Sequence, residues 1–442
     1  MSVAGGGIQM GRTWHCFFWC ALALCADAQV GWAGQLISPS AAGRVGLTRA
    51  WYAQIGALRA TGPIAHINLD GGTLLVQSTS GLLTALHPET GRTLWATQVG
   101  PPNRLSSEPA ANEENVVVLN GSVLYVLDHK TGKILFERKL RAAPGAGPGV
   151  SETHAFVPMV SGVVEGYTLD PEKAAKAAPW VYKSAGRVLI PPMTTGQSVS
   201  WTTDKGYFYV ASPNAKGIRF RLETRGAIDA RPAYWTPNLY AGSTDGSLYA
   251  VNEATGKIVW RHSVGDAIYA SPIAIEDRVF VVSEVSGMYC LDAKAGQVIW
   301  NAPGIRTFVS ISPSRVYAVD QLGRLAVLDS RHGARLSSLT LEGISVKYAN
   351  YQTDRIYLVS DTCVVQCLHE TGLKSPVTYV PPPPPVEEDE SDKPKRPVSK
   401  PPKAPVEPVD AAAEEAGNEA MPAEPDNAEA PADDDPFKEP GA

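Results

Sequence analysis

The chain has 442 residues, with 45 acidic and 39 basic side chains, a formal net charge of −6 and 44% apolar residues. The charge is unevenly distributed. Residues 381–442 hold 17 acidic and 6 basic side chains (net −11), so the preceding 380 residues have a net charge of +5 (−6 minus −11). That body shows no stripe of lysine and arginine, which argues against a nucleic-acid-binding protein. Six cysteines in so long a chain exclude a scaffold stapled by disulfides.

The N-terminal residues are typical of an export signal. Arg12 precedes an apolar run from Cys16 to Ala26, and Ala26-Asp27-Ala28 has the small-residue pattern of a cleavage site. The apolar run is far shorter than the roughly 20 residues that span a bilayer. We predict a signal peptide over residues 1–28, a short leader over 29–48 and a mature chain without a transmembrane segment.

Two alternatives at this end stay open. Met10 rather than Met1 can be the start, because Met10-Gly11-Arg12 forms a more ordinary positive region. Leu22-Ala23-Leu24-Cys25 resembles a lipoprotein signal, which would anchor the chain at Cys25, although Leu24 stands where that signal has a small residue. Both alternatives keep the prediction of an exported protein in the periplasm or at the cell envelope.

The C-terminal residues 381–442 have the composition of a disordered acidic tail. They begin with the run Pro381–Pro385, contain 16 prolines, and have Phe437 as their one aromatic residue. Such a segment cannot bury enough apolar surface to offset the entropy of ordering it. We predict a solvated spacer, with recruitment of a basic partner as the alternative.

A repeat of about 40 residues fills the chain between the two ends. It is clearest in Gly246–Trp260 (GSLYAVNEATGKIVW) and Gly287–Trp300 (GMYCLDAKAGQVIW). Alternating apolar residues predict a strand, and the Asn or Asp and Gly of the following turn predict a hairpin into the next strand. Another β-rich run precedes each unit, so each unit holds about four antiparallel strands.

Two series of residues count the units. The closing aromatics, 40 to 44 residues apart, are Trp95, Phe136, Trp180, Phe220, Trp260 and Trp300, and the series continues without an aromatic at Ser337 and Pro376. The hairpin glycines are Gly81, Gly121, Gly162, Gly206, Gly246, Gly287 and Gly323, with Thr362 in the eighth place. Both series give eight units, of which the third and fourth have a degenerate second turn.

A single extra strand precedes the first complete unit. Trp51 lies 44 residues before Trp95, and the residues around the two tryptophans match. The eighth unit has a poor fourth strand, because Pro376 cannot donate to a sheet. We therefore predict an all-β, eight-bladed β-propeller of four-stranded antiparallel blades over residues 49–380, with its ring closed by the N-terminal strand near Trp51.

The repeat Leu-Asp/Asn-x-x-Thr-Gly-Lys-x-x-Trp resembles the PQQ-like propeller repeats of quinoprotein dehydrogenases and of the BamB-like periplasmic lipoproteins. The resemblance covers about residues 49–380 and implies the propeller fold. It also implies that the repeat aromatics form a structural girdle between blades: Trp95, Trp180, Trp260 and Trp300, joined by Phe136 and Phe220. One such fold serves many functions, so the resemblance decides less about function.

No catalytic, cofactor-binding or metal-binding constellation is recognisable. The dehydrogenases hold PQQ and Ca²⁺ beside a disulfide of adjacent cysteines, and this chain has no Cys-Cys pair. Cys363 and Cys367 are too far apart along a predicted strand to form a bridge, so they and Cys290 are expected to be buried apolar residues. The histidines are scattered, and those in or near the repeat turns are expected at the surface: His87, His129, His332 and His369.

These observations favour a non-catalytic exported propeller, a monomer without a cofactor, that acts as a scaffold for protein partners at the cell envelope. The BamB resemblance implies a role in outer-membrane protein assembly. The alternative is a divergent PQQ-dependent dehydrogenase or another ligand-binding propeller, which would need polar residues around the central channel. The innermost-strand regions, such as Ala267–Ala274 and Val309–Ser314, are instead small and apolar.

Overall fold

The computed structural model describes residues 1–2, 36–56, 62–214 and 217–383. The predicted signal peptide, with the alternative lipid site at Cys25, lies outside the described residues apart from its first two positions. The predicted acidic tail lies outside them from residue 384 onward. Among the described residues, no helix has the length and apolar character needed to cross a bilayer.

The described residues form eight four-stranded antiparallel sheets, the blades of a propeller. Blade 1 contains β2 Ile64–Asp70, β3 Thr73–Ser78, β4 Leu82–Leu86 and β5 Thr93–Gln98, and blade 2 contains β6 Ala110–Ala111, β7 Asn115–Asn120, β8 Val123–Asp128 and β9 Ile134–Lys139. Blade 3 contains β10 Gly149–Val150, β11 His154–Pro158, β12 Val163–Thr168 and β13 Trp180–Lys183, and blade 4 contains β14 Met193–Thr194, β15 Val199–Thr202, β16 Tyr207–Ala211 and β17 Ile218–Glu223. Blade 5 contains β18 Ala233–Trp235, β19 Asn238–Gly242, β20 Ser247–Asn252 and β21 Ile258–Ser263, and blade 6 contains β22 Ile273–Ile275, β23 Arg278–Ser283, β24 Gly287–Asp292 and β25 Val298–Ala302. Blade 7 contains β26 Ile305–Ile311, β27 Arg315–Asp320, β28 Leu325–Asp329 and β29 Arg335–Leu339.

Blade 8 closes the ring with strands from both ends of the propeller. Its strands are β30 Ile344–Lys347, β31 Ile356–Ser360, β32 Val364–Glu370 and, outermost, β1 Leu47–Gln54. Strand β1 runs antiparallel to β32, from the pair Leu47–Glu370 to the pair Gln54–Val364. The predicted eight-bladed fold and its closure by the strand of Trp51 are confirmed.

The closing aromatics lie between neighbouring blades. The indole nitrogen of Trp51 donates to the carbonyl of Pro88 in blade 1 at 2.8 Å, and that of Trp260 donates to the carbonyl of Ala293 in blade 6 at 3.0 Å. The glycine of the following turn sits flat against each ring. A Cβ at Gly296 would lie 2.5 Å from Trp260, so the glycine of the repeat makes room for the aromatic of the preceding blade.

The absence of an aromatic at Ser337 follows from how the ring closes. In blade 8 the third and fourth strands come from opposite ends of the chain, and Gly372, which follows the third strand, has no atom within 4 Å of the place where a Cβ would lie, so no ring of blade 7 covers it. The segment before β1 packs there instead. It contains the short helix α1 (Pro39–Arg44), and Ile37 and Ala42 are buried against the core of blade 7.

The third unit has a helix where units such as the fifth and sixth have a tight turn. The helix α2 (Pro171–Ala174) begins after Asp170, whose carboxylate accepts from the backbone N–H of Glu172. Arg138 of blade 2 donates to the carbonyls of Ala174 and Ala177. These hydrogen bonds join blades 2 and 3 where, between other blades, a repeat aromatic packs on the glycine of the turn.

The eighth hairpin corrects one prediction. Cys363, not Thr362, occupies the glycine position of the hairpin, with a φ of 64° and its N–H bonded to the carbonyl of Ser360 at 3.0 Å. Gly81 makes the equivalent bond to Ser78. The series was misread by one residue because a left-handed conformation is uncommon for a residue with a side chain.

The ring has two distinct faces. The linker face carries the connections between blades and the hairpins that join the second and third strands of each blade. The motif face carries the turns of the Leu-Asp-x-x-Thr-Gly-Lys motif and the turns between the first and second strands. The first strand of each blade lines the central channel between the two faces.

Candidate functional site

The three described cysteines are buried thiols without a disulfide. Burial raises the pKa of Cys290 to about 12, and burial also raises the pKa of Cys363 and Cys367. A thiol with a raised pKa is a poor nucleophile and a poor metal ligand. Cys363 lies in the hairpin before β32 rather than on the strand, where only Cys367 lies.

Two of the histidines expected at the surface are buried instead, His129 and His369. The Nδ1 atom of His129 lies 2.5 Å from the carbonyl of Asn112, and its ring packs on Gly71 of the preceding blade. The turn position was predicted correctly, but the turn of this blade is covered by the edge of the preceding blade. His129 therefore belongs to the seam between blades 1 and 2.

The cofactor pair of the quinoprotein dehydrogenases finds no matching donor set in the described part of the chain. Ca²⁺ takes six to eight oxygen ligands, several of them carboxylates. No group of three or more His, Cys, Asp or Glu side chains that could hold a metal ion exists among the described residues. The residues present do not fit a PQQ–Ca²⁺ site.

The central channel is more polar than the sequence led us to expect. Val309–Ser314 consists of apolar residues and three serines, without a charge, but other blades place charged side chains on or beside innermost strands. Asp70 ends β2, Glu108 precedes β6, and Arg231 precedes β18. The expectation of an apolar channel was wrong because these residues occupy single positions in different blades. They come to lie around one channel only when the ring is closed.

Asp70 connects the channel to the frame of the ring. Its carboxylate accepts from the N–H of Ala111 in blade 2 at 2.7 Å and from the N–H of Gly71 at 3.1 Å. Burial raises the pKa of Asp70, while these hydrogen bonds and the charge of Arg231 act to lower it. The carboxylate thus holds two blades together and also gives the channel wall a titratable group.

The linker face is marked by exposed apolar side chains. Apart from the outermost strands on the rim, six large apolar side chains are at least 40% exposed on this face: Leu105, Val160, Leu189, Tyr269, Val285 and Leu322. They come from the connections and hairpins of blades 1 to 7. Six exposed apolar side chains on one face offer area that a protein partner can bury. This set is the candidate functional site.

Three of the connections place a side chain at an equivalent point of this face. Leu189, Asp229 and Tyr269 follow one another at intervals of 40 residues, and each is exposed next to a buried residue. Partial desolvation by its neighbours raises the pKa of Asp229, and the nearby charge of Asp204 adds to the rise. A carboxylate between two apolar side chains can accept a hydrogen bond from a partner that covers all three.

Two of these three connections are held in place by an aspartate of the following blade. Asp204 accepts from the backbone N–H and the Nε of Arg187, both at 2.7 Å. Burial acts to raise the pKa of Asp204, but the hydrogen bonds from Arg187 outweigh it and lower the pKa. Asp245 accepts from the N–H of Arg225 at 3.1 Å in the same way. The exposed side chains thus stand on an ordered frame, which lowers the entropic cost of binding.

The motif face has a different character. A groove of about 920 Å³ between blades 2 and 3 is lined by five carboxylates and two lysines, among other residues. Two of these carboxylates are already engaged in turns, since Asp128 accepts from Thr131 and Asp170 accepts from Glu172. We assign these two to the turn structure. We therefore take the linker face, which the sequence did not indicate, as the candidate functional site.

Comparison with known proteins agrees with this architecture. A family model described as outer membrane protein assembly factor BamB matches residues 46–164 and 194–348. Among curated proteins, the chain is similar to "Outer membrane protein assembly factor BamB" of Yersinia pestis, with 22% identity over 61% of this chain and 64% of the relative. The protein of the same name from Shewanella oneidensis is 25% identical over 63% of this chain and 64% of the relative. Both alignments span slightly less than two thirds of the relative.

Solved structures show the same fold. BamB from Moraxella catarrhalis superimposes with a TM-score of 0.57 at 18% identity, over 73% of this chain and 97% of that chain. The computationally designed Ika8 protein reaches a TM-score of 0.56 at 13% identity, over 72% of this chain and 98% of that chain. At such identities the likeness establishes the propeller alone.

Proposed function

Since the family match covers more than half of its length, the chain belongs to the family of outer membrane protein assembly factor BamB, and we propose that it is a scaffold for proteins that assemble outer-membrane proteins. The observation that carries this proposal is the set of exposed apolar side chains on the linker face. One of them, Leu189, stands on a connection held by Asp204, and the neighbouring connection, which carries Asp229, is held by Asp245. A rigid apolar surface of this kind suits a protein partner better than a small substrate.

The proposal includes the wider setting of the molecule. The protein is exported, works at the cell envelope as a monomeric propeller, and contributes binding rather than catalysis. The predicted division into signal peptide, leader, propeller and acidic tail is part of this proposal. Support comes from the sequence of residues 1–28 and from the names of the matched relatives.

The test is complementation in the native host. We expect deletion of the gene to lower the amount of folded outer-membrane β-barrel protein, and the wild-type gene to restore it. The double variant Leu189→Arg, Tyr269→Arg should fail to restore it, because two cations would be forced into an apolar contact. Lys257→Glu on the motif face is the matched control, because it also alters an exposed side chain, and it should restore the level fully.

The two variants should be produced in equal amount and melt at the same temperature, because both alter exposed side chains. If the linker-face variant complements as well as Lys257→Glu does, the linker face is not the site of the partner. If deletion leaves the β-barrel proteins unchanged, the proposed role in assembly is wrong.

A second function is favoured by the polar channel. Asp70, Glu108 and Arg231 would suit a small polar ligand rather than a PQQ–Ca²⁺ pair. A ligand that binds only the folded chain must raise the melting temperature. Titration with PQQ alone, followed by melting temperature and quinone absorbance, tests whether the channel accepts such a ligand, and a flat response would count against it. A saturable change would support the ligand-binding alternative.

A further inference from the structure

The C-terminal end of the described chain forms a strap across the motif face. We define the strap as residues 376–383. It starts beside blade 8 and its last contacts are with blade 5, three blades further along the inner edge of the ring. Its side chains alternate, because Val377, Tyr379 and Pro381 are at least partly buried while Thr378 and Val380 are exposed. That alternation is the pattern of an extended peptide lying on a surface.

The strap is held by backbone pairing at its start. Thr378 forms an isolated antiparallel bridge with Thr353. The N–H of Tyr379 donates to the carbonyl of Gln352 at 2.8 Å, and the N–H of Asp354 donates to the carbonyl of Val377 at 3.1 Å. The buried carboxylate of Asp354 also accepts from the N–H of Val377 at 3.0 Å. These contacts depend on an extended backbone and not on the identity of its side chains.

Side-chain recognition comes from Tyr379. Its ring is 7% exposed and packs within the core cluster of blades 6 and 7, which includes Ile275 and Phe308. Its hydroxyl donates to the carbonyl of Ile311 at 3.3 Å. Further along, the hydroxyl of Thr236 donates to the carbonyl of Pro382 at 2.7 Å. The groove thus accommodates an extended segment in which an aromatic residue is followed two positions later by proline.

We propose that this groove on blades 5 to 8 is a peptide-binding site, and that the strap is its intramolecular ligand. The class of ligand is an extended peptide with the pattern Val-x-Tyr-x-Pro, bound by strand addition with alternate side chains in pockets. A tethered ligand has an effective concentration in the millimolar range. The chain's own strap therefore keeps the site closed to peptides in solution. This proposal does not depend on the partner of the linker face.

The experiment is a peptide titration against the full-length protein. The probe is a fluorescein-labelled synthetic peptide of residues 375–385, followed by fluorescence anisotropy. Wild type should bind it weakly or not at all, because the strap occupies the groove. The variant Tyr379→Ala loosens the strap and should bind the peptide at least ten-fold more tightly than wild type. Thr378→Ala, which changes an exposed residue of the strap, is the matched control and should behave as wild type.

Two further measurements make the result decisive. The same peptide with alanine in place of Tyr379 should bind none of the proteins. Hydrogen exchange should show the N–H of Tyr379 protected in wild type and exchanging at least ten-fold faster in Tyr379→Ala. A chain ending at Ser375, which lacks the strap but keeps Leu373 and Lys374, should bind the probe if Tyr379→Ala fails to release the strap.

Each outcome bears on the proposal. Failure of the probe to bind either opened protein, or equal binding of the probe and its alanine version, would overturn it. A concentration-dependent dimer of wild type in light scattering would show that the groove takes the strap of a second copy, which would overturn the intramolecular assignment.

Discussion

Arg355 offers the sharpest test of how the ring is closed. Its guanidinium is 1% exposed and binds the carboxylate of Glu89 in blade 1, with the closest N–O distance 2.7 Å. It also contacts the buried carboxylate of Asp354 at 3.2 Å and the carbonyls of Leu373 and Lys374 at 3.3 and 2.9 Å. One side chain therefore ties blade 8 to blade 1 and to the segment that leads into the strap.

Arg355→Met keeps the length of the side chain and removes all five hydrogen-bond donors. The substitution leaves Asp354 buried without its cation, and breaking a buried ion pair in this way costs about 3 to 5 kcal/mol. About 340 ordered residues give an unfolding entropy near 0.7 kcal/mol/K, so the melting temperature should fall by about 4 to 7 °C. The pKa of Asp354 is already raised, mainly by burial and against the effect of Arg355. Without the arginine it should rise further, so the loss of stability should shrink as the pH is lowered and Asp354 is protonated.

The control for Arg355→Met is Arg324→Met. Arg324 pairs with Asp320, but it is 38% exposed and Asp320 keeps a second partner in Arg335. Its loss should cost about 1 kcal/mol or less. Differential scanning calorimetry at pH 7 and pH 5 measures both variants. Equal melting temperatures for the two, or a deficit of Arg355→Met that grows on acidification, would refute the reasoning.

Three further predictions concern the stability of single blades. Burial acts to raise the pKa of Asp320, but the hydrogen bonds that it accepts from arginines and backbone lower this pKa to about 2. The contribution of Asp320 to the free energy of unfolding is therefore complete above pH 4 and is lost as the pH falls toward 2. In urea denaturation, Asp320→Asn should cost about 2 kcal/mol at pH 6 and much less at pH 2.5. Gly296 and Gly323 have φ values of 70° and 74°, but only a Cβ at Gly296 would strike Trp260; Gly296→Ala should therefore melt several degrees below Gly323→Ala, and equal melting temperatures would show that the ring moves aside freely. Cys363 has a φ of 64°; Cys363→Gly should be more stable than Cys363→Ala by about 1 kcal/mol, because both lose the buried sulfur and only glycine adopts this φ without strain, and the reverse order would contradict this account.

The sequence predicted the ring because its signals repeat. A strand pattern, a turn and a closing aromatic recur every 40 residues or so, and each copy supports the others. The extra copy at Trp51 even predicted how the ring closes. Prediction was weakest where one copy had to be judged alone. The helix that replaces the turn after Asp170 and the cysteine in a glycine position at Cys363 have no second example in the chain.

The candidate site could not be predicted for a physical reason. The connections between blades contain pairs of adjacent apolar residues, of which one is buried in the core and the other is exposed to solvent. Val188 and Ile268 are fully buried, while their successors Leu189 and Tyr269 are exposed. Connections have no period that would tell the two apart. Only the path of the backbone, fixed by contacts such as that of Asp204 with Arg187, decides which side chain faces the solvent.

The two proposed binding sites lie on opposite faces of the ring. The described chain enters the propeller at the motif face, where the carbonyl of Gly46 accepts from the N–H of Thr371 and from Arg315. It leaves on the same face, where Thr236 binds the carbonyl of Pro382. Substitutions at Leu189 and at Tyr379 share no contacts, so their effects should be additive. Partner binding should respond to the first, and opening of the strap only to the second.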